Sequence, residues 1–298
     1  IDFILAVGGG SVLDGTKFIA AAAKYEGDDT WDILAKGAPI SASVPLAGVL
    51  TLPATGSEMN MGAVVSRREL KMKLAFLHPL SYPQFSILDP NVMESLPKRQ
   101  KANGVVDAYI HVLEQYLTFP NEASIQDHWA EGVLKTLHCY GERYVLEDFN
   151  YDVAANVMWA ATSALNGMIG LGVPHDWATH MIGHEVTALH GLDHAQTLAV
   201  IMPGMMKIMF EVKEEKIRRF ARNVLNICNE DFSVEKVIEK TENFFQSLGV
   251  KTKLSEYGIG EKDIPTIIAN IAKGGEIKLG EKGLVNAEKV ELILKSQL

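Results

Sequence analysis

Histidine and aspartate residues recur in this sequence at a spacing suited to metal binding. Five of the nine histidines fall in the segment 175–194, and the pairs four residues apart are Asp107 with His111, His180 with His184, and His190 with His194. Residues four apart in a helix project from one face, so each pair can present two ligands to one ion. Imidazole and carboxylate groups bind Zn²⁺ and Fe²⁺. We therefore predict a metal site, and the spacing alone leaves open which residues form it.

The surrounding residues narrow this prediction. Ala188 stands where a zinc protease would need the second histidine after His184-Glu185, so the H-E-x-x-H motif is absent from the sequence. Histidines that stand alone on a helix or strand are usually structural or exposed. We expect this of His78, His128 and His138.

A glycine-rich turn is the second candidate site. Gly8-Gly9-Gly10-Ser11 follows an apolar strand and opens a helix, and Asp14 lies in the first turn. The N–H groups at a helix N-terminus attract anions, and glycines allow a phosphate to approach the backbone. The spacing differs from G-x-G-x-x-G. The turn therefore predicts either a pyrophosphate site or only a tight strand-to-helix connection.

A second loop ends another strand in the same manner. The residues Thr51-Leu52-Pro53-Ala54-Thr55-Gly56-Ser57-Glu58 place small hydroxylated side chains and a glycine after an apolar run. Ligands of open α/β sheets bind at the carboxyl ends of the strands. Both loops could contact one nucleotide, and the alternative is that the hydroxyls act only as local caps.

The elements that position these residues follow from the hydrophobic pattern. In the first third, short apolar runs alternate with a helix, which predicts an α/β layer with parallel strands. The predicted elements are strands at Ile1–Val7, Val44–Leu52 and Phe85–Leu88, a helix at Val12–Ala23, and a hairpin formed by Ala63–Ser66 and Lys71–Phe76.

Beyond Pro97 the apolar residues recur at i, i+3, i+4 and i+7, which is typical of helices. The predicted helices are Lys101–Leu117, Ile125–Tyr140, Val153–Met168, His175–Leu189, His194–Met209, Glu215–Ile227, Val234–Phe245 and Ala287–Leu294. We therefore predict an α/β domain over 1–97, which contains the two candidate phosphate-binding loops, and a helical domain over 98–298, which contains the candidate metal ligands. A buried strand at residue 1 also predicts that further strands of the same sheet precede this sequence.

Composition limits the classes of partner. The 28 Lys and Arg residues against 37 Asp and Glu residues give a net charge of −9, which disfavours binding to nucleic acid or to an anionic membrane. Two cysteines cannot form a disulfide framework, which predicts a reducing, cytoplasmic location. We found no apolar run of the ~20 residues that a membrane span requires.

With these residues in view, the chain resembles the iron-containing (group III) alcohol dehydrogenase family, in particular its branch of NADPH-dependent aldehyde reductases and butanol dehydrogenases. The matching stretches extend over essentially the whole chain. They are Gly8–Lys17, Leu52–Glu58, Ala102–Ala108, Asn156–Thr162, Asp176–His180 and His190–Gln196.

The resemblance implies a dehydroquinate synthase-like α/β domain that lacks its first strands here, followed by an all-α metal domain. It implies one divalent metal, Fe or Zn, bound by Asp107, His111, His180 and His194, with His184 as an active-site histidine that is not a ligand. The residues implied for NADP binding, with NAD as an alternative, are Gly9, Gly10, Ser11, Asp14, Thr51, Thr55 and Lys73. Many relatives have a longer Thr-rich loop before Gly56. The resemblance also implies a homodimer.

The expected chemistry is reversible hydride transfer between NADP(H) and an aldehyde or primary alcohol, with the metal as Lewis acid and His184 as proton relay or as a brace for the metal helix. Three alternatives remain open from the sequence. They are another metal enzyme of this fold (a glycerol dehydrogenase or a dehydroquinate synthase), a metal-dependent hydrolase, and a non-catalytic domain that a metal stabilises.

Overall fold

The structure is a computed structural model that describes residues 1–70 and 72–298. Within these described residues, the N-terminal part contains five strands and two α-helices. The strands are β1 (Ile4–Gly9), β2 (Leu46–Leu52), β3 (Gly62–Arg67), β4 (Met72–Leu77) and β5 (Ser86–Leu88), and the helices are α1 (Gly10–Ala22) and α2 (Asp32–Ala35). Lys71, at which the predicted second hairpin strand begins, lies outside the described residues.

The predicted parallel sheet is present. Strands β1, β2 and β5 form a three-stranded sheet in the order β1-β2-β5, and both pairings are parallel. Gly9 at the end of β1 lies opposite Leu52 at the end of β2, so the two loops that follow these strands leave the sheet at the same edge. The hairpin β3-β4 is antiparallel and forms a separate two-stranded sheet.

Helices dominate the rest of the chain. They are α3 (Lys98–Tyr116), α4 (Ser124–Leu146), α5 (Tyr151–Ala164), α6 (Ala178–His190), α7 (His194–Ile208), α8 (Phe210–Asn223), α9 (Val234–Ser247), α10 (Ile264–Ile271) and α11 (Ala287–Lys295). The predicted fold class, an α/β part followed by a helical part, is confirmed.

Several element boundaries differ from the predicted ones for physical reasons. Strand β2 begins at Leu46 rather than Val44 because Pro45 has no N–H to donate to a neighbouring strand. Helix α6 begins at Ala178 rather than His175 because Trp177 has a left-handed backbone with φ of 61°. The helices α2 and α10 were not predicted. Both are short, with four and eight residues.

Two apolar cores hold the helical part together. The larger core surrounds α3, whose residues Val105 to Leu113 are buried, and it also includes Ala6, Leu13 and Leu50 from the α/β part. The smaller core joins α6, α7, α10 and α11. The larger core thus crosses residue 97. The division into domains at 97/98 stays a prediction.

One face of the parallel sheet is apolar and exposed. Phe3, Leu5 and Val7 on the β1 side and Phe85 and Ile87 on the β5 side are each about half exposed. Across the described residues, we found no single helix long and apolar enough to span a bilayer; α7 and α8 pass that length and composition test only as a pair bent by 112°.

Candidate metal and cofactor site

Helix α3 presents the first two predicted ligands. Asp107 and His111 lie one turn apart, both 5% exposed, in a stretch that is otherwise apolar and buried. His111 Nε2 is 3.6 Å from Asp107 Oδ1. Burying a polar group that has no partner costs free energy. Two such side chains in the centre of the core therefore indicate a functional site.

The other histidines come from α6 and α7. His180 lies in the first turn of α6, and His194 is the first residue of α7. Helix α7 begins at this point because Asp193 and Gln196 form a capping box. The carboxylate of Asp193 also accepts bonds from Arg99 and Asn103 of α3, at 2.9 and 2.7 Å. These bonds fix the start of α7, and with it His194, against α3.

Three of the predicted ligands converge on one point. One ligand atom each from Asp107, His180 and His194 lies within 4.8 Å of the others. His194 Nε2 is 3.9 Å from Asp107 Oδ1. The ring of His111 stacks on that of His180 with centroids 4.8 Å apart, so the fourth predicted ligand lies against the group.

The donor atoms of this cluster fit a bound cation. Within the described part of the chain, Asp107 Oδ1, both nitrogens of His180, His111 Nδ1 and His194 Nδ1 are buried and accept or donate no hydrogen bond. Such orphaned atoms cost free energy unless a ligand satisfies them. Burial lowers the pKa of His111 and of His180 to about 4, which keeps both rings in the neutral form that binds metals.

His184 and Trp177 border the cluster. The His184 ring lies 4.9 Å from that of His194 and 6.3 Å from that of His180, centroid to centroid. Trp177 packs edge-on against His180 at 5.1 Å and against His111 at 6.1 Å. A left-handed backbone is unfavourable for a bulky residue, and such strain is concentrated at functional sites. The structure therefore brings together the four predicted ligands and His184.

Two of the clustered histidines are not among the converging ligands, although the ring of His175 lies 5.9 Å from that of Trp177. His190 is exposed at the end of α6, and His175 Nε2 bonds to the carbonyl oxygen of Gly170 at 2.9 Å. The lone His138 packs on Phe244. Spacing made His190 a candidate partner of His194, whereas the ligand set implied by the family resemblance includes none of these three histidines.

Glu114 was missed by the sequence analysis. It is 2% exposed in α3, and its Oε1 lies 3.1 Å from the backbone nitrogen of His180 and 3.5 Å from His180 Nδ1. The available signal was a glutamate seven residues after Asp107, two turns along the same helix face. Asp193 was missed as well, although the Asp193 and Gln196 pair is a readable capping pattern.

The glycine turn and the threonine loop meet at the edge of the sheet. Gly9 is the N-cap of α1, and within the described residues no side chain caps the first turn of this helix. Ser11, in that turn, is exposed. A Cβ atom added to Gly10 would lie 2.5 Å from Thr55 Cγ2. The N-terminus of α1 thus keeps open N–H groups beside Thr55, as an anion site requires. Thr51 is half-buried at the end of β2.

Asp14 is bonded to protein atoms rather than open to a ligand. Its carboxylate accepts from Ser57 Oγ at 2.6 Å and from the backbone nitrogen of Val64 at 2.8 Å. Burial raises its pKa, and these two bonds oppose that shift. Asp14 therefore ties α1 to the threonine loop and to β3, and its predicted cofactor contact stays a prediction.

Lys73 connects the two candidate sites. Burial lowers its pKa, and the charges of Asp107 and Asp14 oppose this. Its positive charge in turn contributes to the lowered pKa of His194 and of His184. Lys73 is therefore within electrostatic range of both the metal cluster and the α1 turn.

Comparison with known proteins identifies the family. The family sequence model "Iron-containing alcohol dehydrogenase" matches residues 1–90, and the family sequence model "Fe-containing alcohol dehydrogenase family, C-terminal" matches residues 101–298. The NADPH-dependent aldehyde reductase YqhD of Escherichia coli is 53% identical over 285 residues, which cover 94% of this chain and 74% of YqhD. The probable NADH-dependent butanol dehydrogenase 1 of Bacillus subtilis is 38% identical, covering 100% and 77%.

Solved structures agree with this result. The crystal structure of Escherichia coli YqhD superposes with a TM-score of 0.96 at 50% identity, and the match covers 100% of this chain and 77% of that one. The NADH-dependent butanol dehydrogenase A of Thermotoga maritima gives a TM-score of 0.92 at 35% identity, covering 100% and 76%. The resemblance stated from the sequence is confirmed: the chain belongs to the iron-containing alcohol dehydrogenase family.

Proposed function

We propose that this chain interconverts aldehydes and primary alcohols with NADP(H), using one divalent metal ion held by Asp107, His111, His180 and His194. The chain is an oxidoreductase of the alcohol dehydrogenase and aldehyde reductase class, as its family membership and its relatives indicate. The convergence of three buried ligand atoms within 4.8 Å, beside a fourth histidine, carries the proposal.

The choice of NADPH rests on the relatives. The relative with 53% identity is named an NADPH-dependent aldehyde reductase, whereas the relatives named NADH-dependent are 34–38% identical. In this chain, the N-terminus of α1 and the adjacent Thr55 would hold the pyrophosphate, and Lys73 would lie near the cofactor ribose. Helix N-termini favour this arrangement because their N–H groups and dipole attract negative charge.

When bound, the metal supplies Lewis-acid polarisation of a carbonyl oxygen and the reduced nicotinamide supplies hydride. The chain's own residues provide the rest. Helices α3, α6 and α7 hold the ligand side chains in fixed positions, and Trp177 packs edge-on against His111 and His180. Fixed geometry of this kind removes much of the entropic cost of the reaction.

His184 is the proposed proton donor to the product alcohol. It is half-buried and adjoins His194 without belonging to the group of three converging ligand atoms. A neutral imidazole donates a proton at one nitrogen and accepts one at the other, so it can relay a proton between the site and solvent. The alternative role, as a brace for α6, predicts that replacing His184 changes metal content more than turnover.

The metal identity and the assembly state are further proposals. A ligand set of one carboxylate and three imidazoles suits Fe²⁺ and Zn²⁺ alike, so supply would decide which ion is bound. Homodimer formation is proposed from the family resemblance and a cytoplasmic location from the cysteine content. Analytical ultracentrifugation tests the first, and fractionation of the host cell tests the second.

The test combines elemental analysis with an assay. Purified protein is expected to contain about one Fe or Zn per chain and to oxidise NADPH when butanal is added, followed at the nicotinamide absorbance. Removal of the ion with a chelator should abolish the reaction, and added Fe²⁺ or Zn²⁺ should restore it. Full activity in metal-free protein would contradict the metal assignment. Activity with NADH but not NADPH would contradict the cofactor assignment.

A further inference from the structure

We propose that Glu114 is a positioning residue for His180, holding the first turn of α6 in place and selecting the imidazole nitrogen that faces the metal. The inference rests on the proposed function, because it concerns the metal that Asp107, His111, His180 and His194 would hold.

Helix α6 cannot cap its own N-terminus in the usual way. Its N-cap residue is Trp177, whose indole ring has a donor and no acceptor. The first N–H groups of a helix need acceptors. Asp176 Oδ1 accepts from the nitrogen of Ala178 at 2.9 Å, and Glu114 Oε1 accepts from the nitrogen of His180 at 3.1 Å. A residue of α3 thus supplies a cap that α6 lacks.

The backbone of Glu114 is bonded to the segment before α6, and its side chain takes no part in the nearby ion pair. Its backbone oxygen accepts from the nitrogen of Asp176 at 2.9 Å, so the segment that enters α6 is joined to α3. The nearby buried lysine, Lys213, bonds to Asp176 and lies 3.5 Å from Glu281, and none of its ion pairs within the described residues involves Glu114. The carboxylate of Glu114 is therefore directed at α6 rather than used in that ion pair.

The same carboxylate faces one nitrogen of the His180 ring. Oε1 lies 3.5 Å from Nδ1. Burial and the nearby Asp176 raise the pKa of Glu114 to about 8, but Oε1 is an acceptor in either form because it already accepts from the backbone nitrogen of His180. An acceptor beside Nδ1 favours the tautomer that carries its proton there, which leaves the Nε2 lone pair free. Neither ring nitrogen has a hydrogen-bond partner within the described residues, and Glu114 Oε1 is the acidic oxygen that lies beside Nδ1. Glu114 thereby presents Nε2 of His180 to the ion.

Helix α3 would consequently act on the metal site in two ways. It carries the ligands Asp107 and His111, and seven residues after Asp107 it carries the group that aligns a ligand from α6. The spacing places all of these on one face of α3. A change at Glu114 should therefore alter metal affinity without removing any ligand.

The test measures metal affinity in Glu114→Ala and Glu114→Gln, with Glu131→Gln as the matched control. Glu131 is also a buried carboxylate in a helix, where it accepts from Tyr116 and Asn223 at 2.9 and 3.0 Å, away from the metal cluster. Metal-free full-length protein is titrated with Co²⁺, whose visible spectrum reports coordination, and Zn²⁺ affinity is measured by chelator competition. Thermal unfolding of the metal-free proteins reports stability.

We expect Glu114→Ala to raise the Kd for both ions by roughly 10- to 100-fold, which is the usual effect of removing a residue that orients a metal ligand. Glu114→Gln keeps an acceptor oxygen for the His180 N–H, so it should recover most of the affinity. Glu131→Gln should lower the unfolding temperature and leave the Kd within about twofold. An unchanged Kd in Glu114→Ala, or an equal loss in Glu131→Gln, would overturn the inference.

Two further comparisons keep the result decisive. If Glu114→Ala does not fold, Glu114→Met, which keeps the side-chain volume and removes the carboxyl acceptor, decides: a Kd raised about tenfold or more supports the inference and an unchanged Kd overturns it. His180→Ala separates this inference from the proposed function. Retention of metal by His180→Ala would refute the proposed ligand set, whereas loss there with retention in Glu114→Ala would refute only the role of Glu114.

Discussion

The two candidate binding surfaces of this molecule are built from different parts of the chain. At the carboxyl edge of the parallel sheet, the N-terminus of α1 offers backbone N–H groups, and the nearby carboxylate of Asp14 is already bonded to Ser57 and Val64. In the helical part, the side chains of Asp107 and His180 offer the contacts, and their ligand atoms are buried without protein partners in the described ranges 1–70 and 72–298.

The difference shows how strongly each surface depends on its ligand. Exposed N–H groups at a helix end can bond to water, so the α1 turn loses little when it is empty. Buried unmatched carboxylate and imidazole groups have no such substitute, and each costs about 1–3 kcal/mol or more. We therefore expect changes in the helical cluster to have larger effects than changes at the sheet edge.

The largest effect is expected for His180→Ala. Loss of this ligand should reduce metal content to background and lower aldehyde reduction by roughly 10³-fold, since several kcal/mol of carbonyl activation disappear. Elemental analysis and kcat/KM measure the two quantities. His190→Ala, an exposed histidine on the same helix, should leave both unchanged. Equal losses in both variants would show that the histidines of α6 act through helix stability alone.

Gly104→Ala tests the contact between the two regions. An added Cβ would lie 2.5 Å from the carbonyl oxygen of Pro53, so α3 and the threonine loop must separate. Crowding of this kind costs about 1–3 kcal/mol, measurable by thermal or denaturant unfolding. In α4, the described structure has no atom within 4 Å of a Cβ added at Gly132, and Gly132→Ala should instead stabilise the protein slightly. Destabilisation by both variants would contradict this account of the contact.

Gly10→Ala tests the sheet edge alone. The new methyl group would collide with Thr55, displace it, and close part of the α1 turn. We expect the KM for NADPH to rise about tenfold, equivalent to ~1.4 kcal/mol, with metal content unchanged. Gly15→Ala, later in α1, meets no described atom within 4 Å and serves as control. An unchanged KM for NADPH in Gly10→Ala would contradict the proposed position of the cofactor at this turn.

Asp14→Asn should have the smallest effect. The amide oxygen can still accept from the nitrogen of Val64, but the amide NH2 can replace the bond from Ser57 only by donating to the hydroxyl oxygen, in the reverse direction. We therefore expect a loss of about 1 kcal/mol in the free energy of unfolding and less than a twofold change in the KM for NADPH. Urea unfolding and steady-state kinetics measure these. A tenfold rise in KM with unchanged stability would instead make Asp14 a direct cofactor contact.

Local features of the site were predictable from the sequence. The pairs Asp107 with His111 and His180 with His184 are four residues apart, and helical periodicity alone places each pair on one face. The parallel strands could also be predicted, because short apolar runs that end at Gly9 or Pro53 indicate buried strands and the positions at which they end. The complete ligand set required the family resemblance, since spacing within one helix says nothing about which helices meet.

The remaining features depend on tertiary contacts. The left-handed backbone of Trp177 could not be anticipated, because tryptophan has no preference for that conformation. Glu114 was readable as a buried position, but its contact with His180 joins two helices that are distant in sequence. The start of α7 against Arg99 of α3 is a contact of the same kind.

The distribution of the ligands over α3, α6 and α7 has a thermodynamic consequence. An ion bound by all three helices binds the folded chain and not the unfolded one, so it stabilises the fold by RT ln(1 + [M]/Kd), ~4 kcal/mol when the free ion exceeds Kd a thousandfold. Supply of the ion would then set the amount of folded protein as well as its turnover. Under metal scarcity the chain would unfold and be degraded more often, so its abundance in a cell would follow the availability of the ion.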